Sequence, residues 1–331
     1  MLNRIKGLLV GCAYGDALGM PSEMMSKETF EKAFPNGIDR FMPSTPYDFI
    51  GRKFKAGQVT DDTINVLIVC DSIIKNNGVF NVDKYIELLM SWIKDNQEKY
   101  KYIVGPSTLK ALESIKNGTP IYEAGKFGTT NGAAMKVSPI GIICDYNDLK
   151  DLISNVENLC LPTHNTNIAI TGASVIAAIV SYVIRGGKSI DDIWNLAYQV
   201  IDECKFKGND LPSPSLKLRL ESVEELVKNN DEATIMAKLE TFYGVGMETV
   251  ETIPAVLALL TLSDLKPHKC AIISANLCGD TDTIGSISTS ICAAINNDFS
   301  DDEIHKLSEI NSIDFTWYSE KLSKCIKQLH K

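Results

Sequence analysis

Apolar residues along this chain recur three and four positions apart far more often than two apart, the spacing that lines one face of a helix. On that period helices are expected over 2–15, 61–76, 82–98, 106–117, 147–159, 166–185, 190–205, 217–229, 231–241, 249–262, 267–277, 283–296 and 301–329. Segments rich in Gly and Pro, such as NNG (76–78), NGTP (117–120), RGG (185–187), KGNDLPSPS (207–215) and KP (266–267), supply the breaks that helix ends need. A mostly helical fold is the expectation. Length alone allows one large domain or two ordinary ones, and no composition shift, fixed-period repeat or low-complexity tract marks a boundary.

Two segments test the pattern. From Thr166 to Ile184 the chain carries no charge, close to the about 20 residues of a membrane span. Yet Asn167, Thr171, Gly172, Ser174 and Ser181 interrupt it, and small and polar residues at that density suit a core helix packed among other helices. At the amino terminus MLNRIKGLLVGC mimics a lipoprotein leader, but only Leu8, Leu9 and Val10 run together, short of the about 7 to 15 apolar residues such a leader requires. The first helix of the fold is expected there instead. The longest irregular stretch, about 20 to 59, carries prolines at 21, 35, 43 and 46, and long loops in compact domains are often functional.

Composition narrows the class of partner. The 331 residues are 44% hydrophobic, enough for a large core, and the formal net charge of -9 is scattered without a basic block. No nucleic-acid or membrane partner is expected. Nine cysteines, odd in number and without a C-x-x-C pair, read as reduced core thiols in a cytoplasmic protein.

The candidate chemistry is acidic. Thr60-Asp61-Asp62 stands directly before an apolar run, and CGDTDTIGS (278–286) again sets Asp280, Asp282 and Thr283 before an uncharged helix of small residues. Capping explains one such site, because hydroxyls and carboxylates accept from free N–H groups at a helix start. Two such sites are harder to explain so. Paired carboxylates against a core helix repel unless a cation compensates, and four aspartates balance two divalent ions. Oxygen-only ligation selects hard cations such as Mg²⁺ or Mn²⁺. Adjacent helical residues diverge by about 100 degrees, so Asp61 and Asp62 would serve different ions or bridge them. Spacing does not show that the two loops meet.

A resemblance supplies that link. Through GCAYGDALGMPSE (11–23), GQVTDDT (57–63), TTNGAAMKVSPIGI (129–142), THNTNIAITGAS (163–174), GVGMETVETIPAVLALL (244–260) and CGDTDTIGS (278–286), the chain resembles the ADP-ribosylglycohydrolase family, which includes the dinitrogenase-reductase-activating glycohydrolases and the J1 crystallins. The resemblance covers roughly 1–296. It implies an all-α, single compact multi-helix domain over 1–331 with a central dinuclear metal site; 301–331 lies beyond the clear resemblance, and its own apolar period reads as a helical extension. By that likeness Thr60, Asp61, Asp62, Asp280, Asp282 and Thr283 hold two Mg²⁺ or Mn²⁺ ions, with Asp282 bridging. Glu23 matches a glutamate on a mobile loop that gates the site or handles a proton, and Asp61, Asp62 and Glu23 are the candidate catalytic carboxylates. Asn131 and Gly132 match an N-G pair lying against ribose and diphosphate, Met135 lines the same pocket, and His164 matches a histidine near the substrate. Asp16 is expected to cap or order the turn after the first helix, and His268, His305 and His330 to lie on the surface.

The chain departs from the family in reading T-T-N-G where many members have G-N-G, in Lys136 where Arg is frequent, and in THNT where an acidic residue commonly follows the histidine. The metal ligands are intact. The implied activity is metal-dependent hydrolysis of a ribosyl glycosidic bond, foremost from an ADP-ribosylated acceptor such as arginine, by a water activated between the two metals. The implied partner is a small molecule or an ADP-ribosylated protein. The departures leave a free nucleoside or other small N-riboside as the alternative. A catalytically silent, crystallin-like role would be expected to lose ligands, and none of the six is lost.

Overall fold

Four glycines spaced by four, Gly7, Gly11, Gly15 and Gly19, run along one face of the first helix. The structure, a computed structural model, describes residues 1–96 and 105–329. Its helices are α1 (Leu2–Gly19), α2 (Lys27–Ala33), α3 (Asp61–Lys75), α4 (Val82–Asp95), α5 (Pro106–Lys116), α6 (Ile121–Ala124), α7 (Ser138–Ile143), α8 (Leu149–Cys160), α9 (Asn167–Ile184), α10 (Ile190–Glu203), α11 (Leu216–Asn229), α12 (Glu232–Lys238), α13 (Thr249–Leu262), α14 (Pro267–Ala275), α15 (Thr281–Ile295), α16 (Asp301–Asn311) and α17 (Phe315–Leu329). The fold is all-helical, with no sheet among the described residues. Two compact units gather the helices: residues 1–63 with 215–319, and residues 64–214 with 320–331.

In the first unit α1 lies along α15, with α13 and α14 packed on α15 as well. The glycine stripe makes the α1–α15 approach possible. A methyl at Gly15 or Gly19 would overlap the backbone of Gly285 or Thr281, and one at Gly11 would stand 2.6 Å from the Thr289 carbonyl oxygen. α15 is buried from Thr281 to Ala294 although it is rich in hydroxyls. Several of these satisfy themselves within the helix, with Ser288 donating to the Ile284 carbonyl (2.6 Å) and Ser290 to that of Ile287 (2.7 Å), the back-bonding that lets serine enter a core helix.

In the second unit α9 is the core helix, with α7, α8 and α10 packed against it. Its length and hydropathy pass for a membrane span, but 89% of it is buried inside the protein. Its polar residues are used. Thr166 caps its start, Asn167 donates to the carbonyls of Cys204 (2.8 Å) and Lys207 (2.9 Å), and Ser181 donates to that of Cys144 (2.7 Å).

The long periodic helices stand where the pattern places them. The expected 301–329 stretch is instead two helices, because Ser312 turns into the left-handed region (φ 56) and Asp314 caps the next start through the Trp317 N–H at 2.8 Å. The short helices α2, α6 and α7 escape the pattern: α7 is buried on every side and starts with a proline at its second position. Positions 97 and 98 of the expected 82–98 helix lie outside the described residues. All nine cysteines are free and buried.

Candidate active site

The acidic loops meet in the first unit. Thr60 and Asp62 come from the start of α3, and Asp280, Asp282 and Thr283 from the start of α15. Asp62 Oδ2 accepts from the Thr60 hydroxyl at 3.2 Å and from the Thr283 hydroxyl at 3.3 Å, Thr283 lying 221 positions along the chain from Asp62. Its other oxygen, Oδ1, is buried and has no hydrogen-bond partner. Asp280 is fixed through its backbone, whose N–H donates to the Val245 carbonyl at 2.7 Å, and Asp282 Oδ1 accepts from the Thr283 N–H at 3.0 Å. Glu23 approaches from the loop after α1, and Glu23, Asp280 and Asp282 each bring an oxygen within 4.8 Å of the others.

Asp16 joins them from the last turn of α1 and is a cap, though not of the turn directly after that helix. It caps the start of α3, accepting from the N–H of Thr60 (2.9 Å), the N–H of Thr63 (3.1 Å) and the Thr63 hydroxyl (2.6 Å). A carboxylate at a helix start satisfies N–H groups that have no partner within the helix. Asp16 thus ties α1 to α3 and holds Thr60, Asp61 and Asp62 in place.

The irregular stretch contributes Arg52, which the residue pattern does not single out. Its guanidinium is buried and forked between carboxylates: Nη1 pairs with Glu23 and lies 4.0 Å from Asp282, while Nε pairs with Asp48 at 3.0 Å. Nη2 donates to the Met20 carbonyl at 3.1 Å. This is the planar, multidentate use for which arginine is suited.

The electrostatics follow from burial and crowding. Burial raises the carboxyls of Asp16 and Asp61 to about 7, with Asp282 the next contributor. Burial and then Asp282 also push Asp62 and Glu23 well above the carboxylate range, Arg52 pulling Glu23 back in part. Among the described residues Arg52 is the cation that reaches this group. Carboxylates outnumber it, the donors are all oxygen, and Asp62 Oδ1 is bare, which fits one or more hard divalent cations.

The other predicted residues gather in the second unit. Thr130, Asn131 and Gly132 precede a short turn at 134–136, and the N–H of Met135 donates to the Asn131 carbonyl at 3.0 Å. Asn131 and Met135 are buried. His164 packs on Gly132 so closely that a methyl there would stand 2.7 Å from Cε1. Its ring is fully engaged, with Nδ1 at 2.7 Å from the Thr163 hydroxyl and Nε2 at 3.0 Å from that of Thr130. Burial, and then the Lys136 charge, hold the imidazole well below its ordinary pKa. Lys136 is itself buried, donating to Thr163 at 3.1 Å with its ammonium over the Tyr85 ring at 5.5 Å.

Of the remaining histidines, His305 is exposed and His330 lies outside the described residues. His268 is not a simple surface residue. It is half-buried, with Nδ1 at 3.1 Å from Asp298 and Nε2 at 3.0 Å from Glu303.

Comparisons with known proteins place the chain in a family. The ADP-ribosylglycohydrolase family profile matches residues 1–316, reaching past 296. The chain is 34% identical to the "uncharacterized protein YegU" of Escherichia coli (strain K12) over 328 residues, covering 98% of both chains. It is 23% identical over 304 residues to the ADP-ribosylarginine hydrolase Tri1 of Serratia proteamaculans (strain 568), covering 89% of this chain and 72% of that one. A solved chain described as an "ADP-ribosylglycohydrolase-related protein complex" superposes with a TM-score of 0.69 at 20% identity, covering 100% of this chain and 99% of the other. At that identity the superposition speaks for the fold alone.

Proposed function

The chain belongs to the ADP-ribosylglycohydrolase family and is a glycosyl-bond hydrolase, and from that premise we propose that it releases ADP-ribose from an acceptor, foremost an arginine side chain. One observation carries the reading: buried carboxylates from α3, α15 and the Glu23 loop converge, and Asp62 Oδ1 is left without a partner. The Tri1 relative, named for ADP-ribosylarginine, supports arginine as the acceptor.

In this reading Thr60, Asp61, Asp62, Asp280, Asp282 and Thr283 hold two divalent cations, Mg²⁺ or Mn²⁺. When bound, the ions offset the carboxylate charge and make water more acidic. Hydrolysis adds a water oxygen to the anomeric carbon, breaks the carbon–nitrogen bond and leaves a proton on the departing guanidine. An oxocarbenium-like transition state of this kind needs an acceptor for the water proton and a proton for the leaving group. Asp62 suits the first task at a defined atom. Its Oδ2 is fixed by two threonine hydroxyls, so Oδ1 is the oxygen available for a cation or a proton. Glu23 is held by Arg52 beside Asp280 and Asp282, where its carboxylate orients the reacting groups. Asn131 and Gly132, backed by His164, receive the ADP-ribosyl group, Gly132 allowing close backbone approach.

The test is incubation of the protein with ADP-ribosyl-arginine, adenosine and inosine, each with Mg²⁺ or Mn²⁺ and with chelator. Release of ADP-ribose from the arginine conjugate, only with metal, is the expected result. Cleavage of the nucleosides alone, or release that chelator does not stop, overturns the reading.

A further inference from the structure

Thr163 is buried, and its hydroxyl oxygen meets the Lys136 ammonium at 3.1 Å and His164 Nδ1 at 2.7 Å. An ammonium has hydrogens and no lone pair, so Thr163 accepts from Lys136. The Thr163 hydrogen then has one acceptor among the described residues, His164 Nδ1. Were Thr163 to accept from the ring as well, its own hydrogen would be buried without a partner, an arrangement that native interiors avoid. Nδ1 is therefore the bare nitrogen. Burial and the Lys136 charge keep the ring neutral, so its single hydrogen sits on Nε2 and is donated to Thr130 at 3.0 Å. Thr130 accepts this bond and keeps its own hydrogen, for which no acceptor stands among the described residues. Its side chain is only half-buried and neighbours Asn131 in the T-T-N-G loop.

Each step donates in one direction, and the first donor is a cation. The positive end of the chain emerges at the Thr130 hydrogen, where it favours an anionic oxygen. A glycine, which many family members carry at this position, offers no hydroxyl.

We infer that Lys136, Thr163 and His164 form a one-way hydrogen-bond relay that presents Thr130 as a donor to a diphosphate oxygen of the ADP-ribosyl group, making Thr130 a specificity residue of this chain. The inference rests on the ADP-ribosyl reading above. Lys136 and Thr163 are positioning residues, acting through His164.

Two measurements test it. In protein labelled with ¹⁵N-histidine, the His164 signals, identified by their loss in His164→Gln, are expected to show a neutral ring protonated at Nε2. Calorimetric titration with ADP-ribose is expected to show Thr130→Val weakened about tenfold, Thr130→Ser close to wild type, and Thr163→Val weakened as Thr130→Val is. Adenosine, which lacks the diphosphate, is expected to bind wild type and Thr130→Val alike. A ring protonated at Nδ1 overturns the relay, and undiminished ADP-ribose affinity in Thr130→Val overturns the donor role. Either result leaves the hydrolase reading standing if wild type still cleaves ADP-ribosyl-arginine. Wild type that binds no ADP-ribose overturns that reading and the diphosphate contact together.

Discussion

The acidic cluster of α3 and α15 and the His164 relay both bury polar side chains, and they do so in opposite ways. The cluster is made of acceptors. Its carboxylates find three threonine hydroxyls, a few N–H groups and Arg52, and one Asp62 oxygen still has nothing. In the relay, donors and acceptors alternate from Lys136 to Thr130, so the fully buried groups answer one another and only the half-buried Thr130 hydrogen is left over. An excess of one hydrogen-bonding sense marks where something must arrive from outside. A balanced chain marks scaffold that can hold a loop and aim one group.

The widest separation between the two should come from removing charge in the cluster. Asp62→Asn and Asp282→Asn are each expected to lower metal-dependent turnover about a thousandfold or more. Mn²⁺ binding, followed by calorimetry, should be lost with it. In chelator, however, both variants should be more stable than wild type by about 1 kcal/mol, because a repelling charge is gone while the shape remains. Wild type alone should then gain from added Mn²⁺, by about 2.7 kcal/mol at a hundred times the dissociation constant. A variant that unfolds more easily than wild type in chelator would show that these carboxylates hold the fold together instead of straining it.

A smaller change of the opposite sign is expected in the relay. Lys136→Met keeps the length of the side chain and removes the donor to Thr163, so urea denaturation should show a loss of about 1 kcal/mol. Lys136→Arg should recover part of it. If Lys136→Met were as stable as wild type, the relay would not be a balanced network and its contrast with the cluster would disappear.

What could be read from the residues follows the same division. Helices of a dozen residues or more announce themselves, because a period needs several turns to show. The seven-residue α2 buries Phe30 alone, too little for a period to show, and the proline-bearing, fully buried α7 has too few polar positions to mark a face. The glycines at 7, 11, 15 and 19 stand in plain view, but their meaning depends on α15, more than 260 residues away. Asp61, Asp62, Asp280 and Asp282 are conspicuous because like charges lie side by side in the chain. Arg52 and Asp16 are silent by comparison, since Glu23, the site partner of Arg52, lies 29 positions away and Thr60, which donates to Asp16, lies 44 away. His164 is legible as a candidate, whereas its wiring is not, because the threonine beside it and the lysine 27 positions before that threonine acquire their roles only when packed.

Glu303 provides the mildest contrast, a carboxylate that has the donors the cluster lacks. It accepts from His268 Nε2 at 3.0 Å, the Ser300 N–H at 2.9 Å, the Ser300 hydroxyl at 2.7 Å and the Tyr14 hydroxyl at 3.2 Å. Burial pushes its pKa up, but the bonds from His268 and Ser300 outweigh it and hold the group at about 2, against an ordinary 4.5. A carboxyl depressed in the folded state stabilises the protein above its unfolded value, and that contribution disappears as pH falls from 4.5 through about 2. The side chain is 29% exposed, and solvent screens part of the effect, so Glu303→Gln should lose less than about 1 kcal/mol at pH 7. In urea titrations near pH 2 the variant and wild type should converge, whereas an equal gap at both pH values would mean that lost packing, not lost charge, is being measured. Mn²⁺ affinity should not move in this variant. A carboxylate already surrounded by hydrogen-bond donors has no use for a cation, which is the distinction that sets Asp62 and its neighbours apart.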